Sequence, residues 1–308
     1  MSKTEPRTAI LGNQKNSWVY DSRTGFDLTH RDEPTSPMIK DAVTIETAET
    51  AVTIDPGKSA LIIIDMQNYF LSATLGRSKG KGTDAMKHLV EEAIPAARKA
   101  SIRVIWLNWG LDEQELNDMP PGLLRMFGFA AASNGVQVSA DRHGKPRTGH
   151  NGLGSQLGKR TDEDSKSEID AGRVLMRGEW NSELHPPLDR IFAEGKSLEK
   201  RPDVLINKNR LSGLWSETTA FEQFLSEQGI KTLLFAGVNT DQCVGTTLQD
   251  AHSKGYDCIL LSDGSGTASP QFAQESTEFN AVSTWGFATT CALLAKGVEG
   301  LNEDCRQN

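Results

Sequence analysis

The 308-residue chain lacks any block of clustered Lys and Arg: 33 basic residues stand against 41 acidic ones, for a net charge of −8. Phosphate binding depends on such clusters, so nucleic acid and anionic membrane surfaces are excluded as partners. Nor does any run approach the roughly 18 consecutive apolar residues of a membrane-spanning helix. The best, Ala60 to Ile64 and Leu233 to Val238, are short. Met1 to Thr8 has no apolar stretch of the secretory kind, so a soluble, cytoplasmic protein is expected. The four cysteines (Cys243, Cys258, Cys291, Cys305) show no CxxC spacing, which supports neither a disulfide framework nor a zinc ribbon. A functional cysteine here acts as a thiol.

Hydrophobic content is only 37%, which points to one core diluted by polar segments. Residues 1–55 mix Pro, Thr, Asp and Glu without sustained period, and read as an extended arm that Trp18, Tyr20 and Phe26 could anchor on a neighbour. From Ser59 the texture changes. Ala60 to Ile64 is a continuous apolar run of the kind a parallel sheet buries on both faces. Met86, Leu89, Val90, Ala93, Ile94 and Ala97 then recur at three and four, predicting an amphipathic helix from Thr83 or Asp84 to Ala100. Arg103 to Asn108 is the second strand.

The alternation continues with a strand at Val204 to Lys208, a helix near Glu217 to Gln228 and a strand at Thr232 to Val238. A helix from about Gln242 to Lys254 and a strand at Tyr256 to Leu261 follow. Repeated βαβ units predict a doubly wound, mostly parallel α/β sheet with helices on both faces, in a single domain over 56–300 followed by a tail, 301–308. Residues 131–172 are polar and aperiodic and read as an insertion in the loop after the second strand, either mobile or bordering the site. Cys258 and Cys291 read as core, and Cys305 as part of the polar tail.

Ligands of such sheets bind at the carboxyl ends of the strands. Asp65 ends the first strand, Lys208 ends the third, and Cys243 lies just beyond the fourth. Each alone is ordinary; together they form a chemical set. A cysteine in the first turn of a helix feels orphan N–H groups and the positive end of the macrodipole, which favour thiolate. A carboxylate can accept the thiol proton, and an ammonium can orient that carboxylate.

Three segments, Leu61 to Gln67 (LIIIDMQ), Asn207 to Gly213 (NKNRLSG) and Ala236 to Val244 (AGVNTDQCV), resemble the isochorismatase-like cysteine hydrolases in order and strand position. The resemblance covers roughly residues 55–298. Ile105 to Gln114, Arg177 to Trp180 and the Phe279-Asn280 to Trp285-Gly286 stretch look most like the ureidoacrylate amidohydrolase and biuret hydrolase group. The chain departs from the ureidoacrylate enzyme at Leu211, where that enzyme has tyrosine, and in its long insertion and N-terminal arm.

The resemblance implies an amidohydrolase in which Cys243 attacks an amide or ureide carbonyl, Asp65 moves the proton, and Lys208 orients Asp65. It also implies an oxyanion hole from the backbone N–H groups of Asn239 and Cys243, a cis Val238–Asn239 peptide, and a homo-oligomer, dimer or tetramer. Gln67, Asn108, Trp109, Trp180 and Leu211 lie near strand ends as candidates for orienting a small polar substrate. Zinc nicotinamidases of this family carry an Asp-x-His…His cluster after the second strand. Here that stretch is Asn108 to Asp112, without histidine, so no metal is expected. His143 and His150 read as loop residues. The glycine-rich stretch Gly76 to Thr83 lacks the spacing of a phosphate loop, so no nucleotide cofactor is expected either. Competing readings are a vinyl-ether hydrolase of the isochorismatase type, which does not need the cysteine, and a non-catalytic ligand-binding member of the fold.

Overall fold

In the computed structural model, which describes residues 5–13, 16–32, 36–37, 39–163 and 165–304, six strands form the central sheet. In chain order they are β1 (Ser59–Ile64), β2 (Arg103–Trp109), β3 (Val204–Lys208), β4 (Thr232–Val238), β5 (Asp257–Gly266) and β6 (Phe287–Thr289). They lie in the order β3-β2-β1-β4-β5-β6, every neighbouring pair parallel. The expected doubly wound parallel sheet is present. The short sixth strand was not apparent in the sequence: its three residues are too few to show a period.

The continuous apolar runs are explained by burial on both faces. Ile62, Ile64, Ile105, Leu107, Leu233 and Phe235 point into one core, which the helices Ala220–Glu227 and Gly245–Ser253 cover through Phe221, Leu225, Leu248 and Ala251. Their neighbours Leu61, Ile63, Val104, Trp106, Leu234 and Ala236 point into the second. There the cover is the helical stretch Lys81–His88, Leu89–Ala93 and Ile94–Lys99, with the last helix, Cys291–Asp304. The first stretch has a widened π-type turn at its centre, which a 3.6 period does not reveal. Thr219 caps Ala220–Glu227, its hydroxyl accepting from the N–H of Glu222 at 3.2 Å.

The described part of residues 1–55 is not an extended arm. It contains a five-stranded sheet, in the order Thr8–Asn13, Asn16–Asp21, Gly25–Leu28, Val52–Ile54, Val43–Ile45. These strands are three to six residues long, too short to display sustained alternation. The sheet rests on this chain's own second core, to which Leu28, Val43, Ile45, Val52 and Ile54 contribute fully buried side chains. Trp18 and Phe26 pack against Phe287. Asp257, at the start of β5, ties the layers together. It accepts from Trp18 Nε1 and Thr232 Oγ1 at 2.7 Å each and lies 2.7 Å from His30 Nε2.

The insertion is likewise more ordered than its composition indicates. Phe129–Ser133 pairs with Val136–Ala140, Lys159–Thr161 pairs with Glu168–Asp170, and Leu153, Leu157 and Ala171 anchor the segment in the first core. At the other end of the chain, residues 301–304 belong to the last helix, and Cys305 lies outside the described residues. Cys258 and Cys291 are buried, as expected. No helix among the described residues is long and apolar enough to cross a membrane.

Candidate active site

Strand register brings the three chemistry-bearing residues together. Ile64 pairs with Leu107, Lys208 with Trp109 and Gly237 with Ile64, so β1 to β4 end at nearly one level. Alternation then sends Lys208 and Trp109 to the same face as Ile206 and Leu107. Asp65 leaves β1 with φ +53°, a left-handed turn that Asp tolerates better than bulkier residues. On the neighbouring strand Gly237 has φ +112°. A β-carbon there would stand 2.1 Å from the Ile64 carbonyl oxygen, so only glycine permits this close approach.

The Lys208 ammonium lies 3.0 Å from Asp65 Oδ2 and 4.3 Å from the centre of the Trp109 ring. The Trp109 backbone N–H donates to Asp65 Oδ1 at 2.9 Å. Asp65 and Lys208 both act on the electrostatics of the neighbouring Cys243 thiol. It sits in the first turn of a helical stretch, Thr240–Val244 continuing into Gly245–Ser253, that follows β4. Asn239 precedes that turn, and the Val238–Asn239 peptide is cis.

Burial raises the Asp65 pKa above the ordinary carboxylate value, with Lys208 the largest opposing influence. Burial also pushes the Cys243 thiol up to about 12; Lys208 opposes that rise and the Asp65 charge adds to it. The resting sulfur is therefore a neutral thiol facing a strengthened base. Against the sequence-based expectation of a helix-stabilised thiolate, burial is the largest influence on this thiol and acts in the opposite direction.

Cys243 opens onto a cavity of about 640 Å³. Cys243, Trp109, Asn239 and Leu211 line it; Asp65 and Lys208 are buried behind that lining. The Trp109 indole N–H is buried without an acceptor and acts to lower the thiol pKa.

The other residues expected to face substrate do not. Gln67 donates through Nε2 to the carbonyls of Trp109 and Ser182 at 2.7 Å each and accepts from the Trp109 N–H at 3.0 Å. It clamps the backbone under the site. Asn108 is buried but falls on the opposite side of β2 from Trp109, outside the cavity lining. Trp180 packs on the first core, and its carbonyl accepts from Asn68 Nδ2 at 2.9 Å.

Sequence reasoning assigned no residue to the cavity's outer wall, although bordering the site was one of its two readings of the insertion. Tyr69 follows the first motif. Arg77 lies in the glycine-rich stretch set aside above. Arg142, Arg147, His150 and Arg160 come from the insertion. His150, expected only as a loop residue, stands 3.3 Å from the Tyr69 hydroxyl. The available signal was the insertion's arginine content, which composition alone does not aim at a site. One group of potential cation ligands exists among the described residues, His88, Glu92 and Asp263; none of them lines this cavity.

A parallel 3-2-1-4-5-6 sheet with an acid, an ammonium and a thiol at its carboxyl edge is an α/β architecture with its reactive groups where such sheets bind ligands. The isochorismatase domain model matches residues 59–292, and the chain belongs to the isochorismatase family. It is 28% identical over 259 residues to the ureidoacrylate amidohydrolase RutB of Enterobacter sp. (strain 638), covering 83% of this chain and 95% of that protein. The RutB of Caulobacter segnis is 27% identical over 264 residues, covering 84% and 93%. Among solved structures, a cysteine hydrolase from Pseudomonas syringae pv. phaseolicola 1448A shares the fold. Its TM-score is 0.54 at 18% identity, with coverage of 87% of this chain and 99% of that one. The protein is thus an isochorismatase-family hydrolase related to ureidoacrylate amidohydrolases.

Proposed function

We propose that the protein hydrolyses a C–N bond in a small amide, ureide or carbamoyl compound through a thioester on Cys243. The observation that carries this reading is the Asp65–Lys208 ion pair at 3.0 Å, buried beside the cavity-lining Cys243 thiol and acting on its pKa.

In this reading the thiol loses its proton to Asp65 as sulfur bonds to the substrate carbonyl carbon, and the carbonyl oxygen takes the negative charge. The high thiol pKa makes the two events concerted, because a free thiolate is scarce at neutral pH. The N–H groups of Asn239 and Cys243 are assigned to the oxyanion; one such donor is worth about 3 to 4 kcal/mol of barrier. Collapse breaks the C–N bond, and Asp65 returns its proton to the departing nitrogen. Water then attacks the thioester, giving a proton to Asp65. C–S cleavage releases the acid and restores the thiol. Lys208 holds Asp65 in place and limits its basicity throughout. Trp109 and Leu211 shape the pocket beside the sulfur.

The test is an ammonia-release screen over ureidoacrylate, biuret, N-carbamoyl amino acids, nicotinamide and maleamate, with Cys243→Ser as control. Intact mass on a slow substrate should show an acyl adduct on the wild-type chain alone. Pyruvate release from isochorismate that persists in Cys243→Ala would replace this reading with vinyl-ether hydrolysis.

A further inference from the structure

Although the chain carries a net charge of −8, four arginines and no Asp or Glu line the Cys243 cavity: Arg77, Arg142, Arg147 and Arg160. Among the described residues none of the four is ion-paired with a carboxylate, whereas Arg98, Arg173 and Arg177 elsewhere each lie against one. Cations gathered in a concavity without counter-charge repel one another and raise the local concentration of anions.

Two of them are fixed by backbone instead of by acids. Arg77 donates through Nε to the Tyr69 carbonyl at 2.8 Å, its guanidinium 4.9 Å from the centre of that ring. Arg147 donates to the carbonyls of His150, at 2.6 and 3.2 Å, and of Phe127, at 2.9 Å. These bonds hold the inner edges and leave Arg77 Nη1 and Nη2 and Arg147 Nη1 without a protein acceptor among the described residues. Both cations act on the same neighbour: with burial as the largest cause, Arg147 and Arg77 push the His150 pKa down to about 4. His150 is thus neutral at pH 7. Asp162, an acid tied to the cavity wall, is bonded to Thr74 Oγ1 at 3.2 Å and to the Ser165 N–H at 2.7 Å.

One guanidinium fork suffices for one carboxylate, so the fixed pair already provides for a monoanion. Arg142 and Arg160, from separate parts of the insertion, exceed that need. Arg160 Nη1 donates only to the adjacent Lys159 carbonyl, at 3.0 Å.

We infer that the insertion makes this cavity a reader of dianions: the substrate presents its scissile carbonyl to Cys243 and a doubly charged group, dicarboxylate or phosphate, to Arg77, Arg142, Arg147 and Arg160. The chemistry at the carbonyl rests on the proposed C–N hydrolysis; the charge preference does not.

The test is titration calorimetry on full-length Cys243→Ala with four probes: N-carbamoyl-L-aspartate, N-carbamoyl-O-phosphoethanolamine, N-carbamoyl-β-alanine and biuret. At least one dianion should bind about tenfold or more tightly than the monoanion, less so at high salt, and biuret should bind weakest. The stronger dianion identifies the doubly charged group as dicarboxylate or phosphate. Adding Arg142→Gln and Arg160→Gln should abolish the preference, and Lys at both positions should restore part of it. Dianion affinity no higher than that of the monoanion, including no detectable binding of either, overturns the inference, as does a preference that survives both Gln substitutions. Dianion binding without ammonia release from any amide by the wild-type chain would sink the hydrolytic reading alone. Cys243-dependent turnover of neutral amides with no charge preference would sink this inference alone.

Discussion

Lys208 Nζ stands 3.0 Å from Asp65 Oδ2, with 2% and 0% of the two side chains exposed. Removing one partner of a buried pair typically costs about 3 to 5 kcal/mol, because the other charge is left uncompensated. Lys208→Met should therefore lower stability in urea unfolding by that order and reduce turnover by roughly a hundredfold or more. Asp65→Asn added to Lys208→Met should recover part of the stability and none of the activity. Full additivity of the two stability losses would show that the pair is not coupled.

The site should titrate from the acid side only. Activity needs ionised Asp65, whose pKa is raised by burial, so kcat/KM should fall with decreasing pH at a point above the model-compound carboxylate value of 3.8. The thiol, at about 12, adds no limb near neutrality. Iodoacetamide should alkylate Cys243 slowly at pH 7, with a rate that climbs toward the alkaline limit of the fold. A rate plateau already reached at pH 8 would mean a thiolate at rest and would contradict this electrostatic account.

His150 gives a stability signature. Its folded pKa of about 4 lies below the unfolded value near 6.5, so below 6.5 the unfolded chain binds the proton more readily. The stability held by the neutral imidazole is complete above pH 6.5 and lost as pH falls from 6.5 through 4. His150→Gln should lose less stability than wild type between pH 7.5 and 4.5 when urea midpoints are compared. Parallel losses in both proteins would remove His150 from that balance.

Asp257 should matter for architecture and not for chemistry. Its carboxylate holds Trp18, His30 and Thr232 at 2.7 Å each. Asp257→Asn turns an acceptor toward donors it can no longer fully satisfy, at about 2 to 4 kcal/mol. Limited proteolysis should cut first within residues 5–54, while the KM of the folded fraction stays constant.

Much of this was legible from residue order because continuous apolar runs and a 3.6-residue period are local signals. Thr232 to Val238 and Val204 to Lys208 were bounded to the residue, and the meeting of Asp65, Lys208 and Cys243 followed from strand topology. The failures were of two kinds. Short strands, such as Val43–Ile45 and Phe287–Thr289, repeat too few times to show alternation. Side-chain direction was harder still: Asn108 and Trp109 are adjacent, yet only Trp109 lines the cavity, and Gln67 is fully engaged by backbone. The arginines of the outer wall were invisible because loop folding, not periodicity, aims them.

Alternation along β1, β2 and β4 divides consecutive residues between two different jobs. On β2 and β4, Leu107 and Phe235 pack in the core that also holds Cys243, while Trp106 and Leu234 pack in the core shared with the N-terminal sheet. A polar side chain at 107 or 235 would therefore disturb the core around the sulfur, and one at 106 or 234 the core beneath residues 5–54.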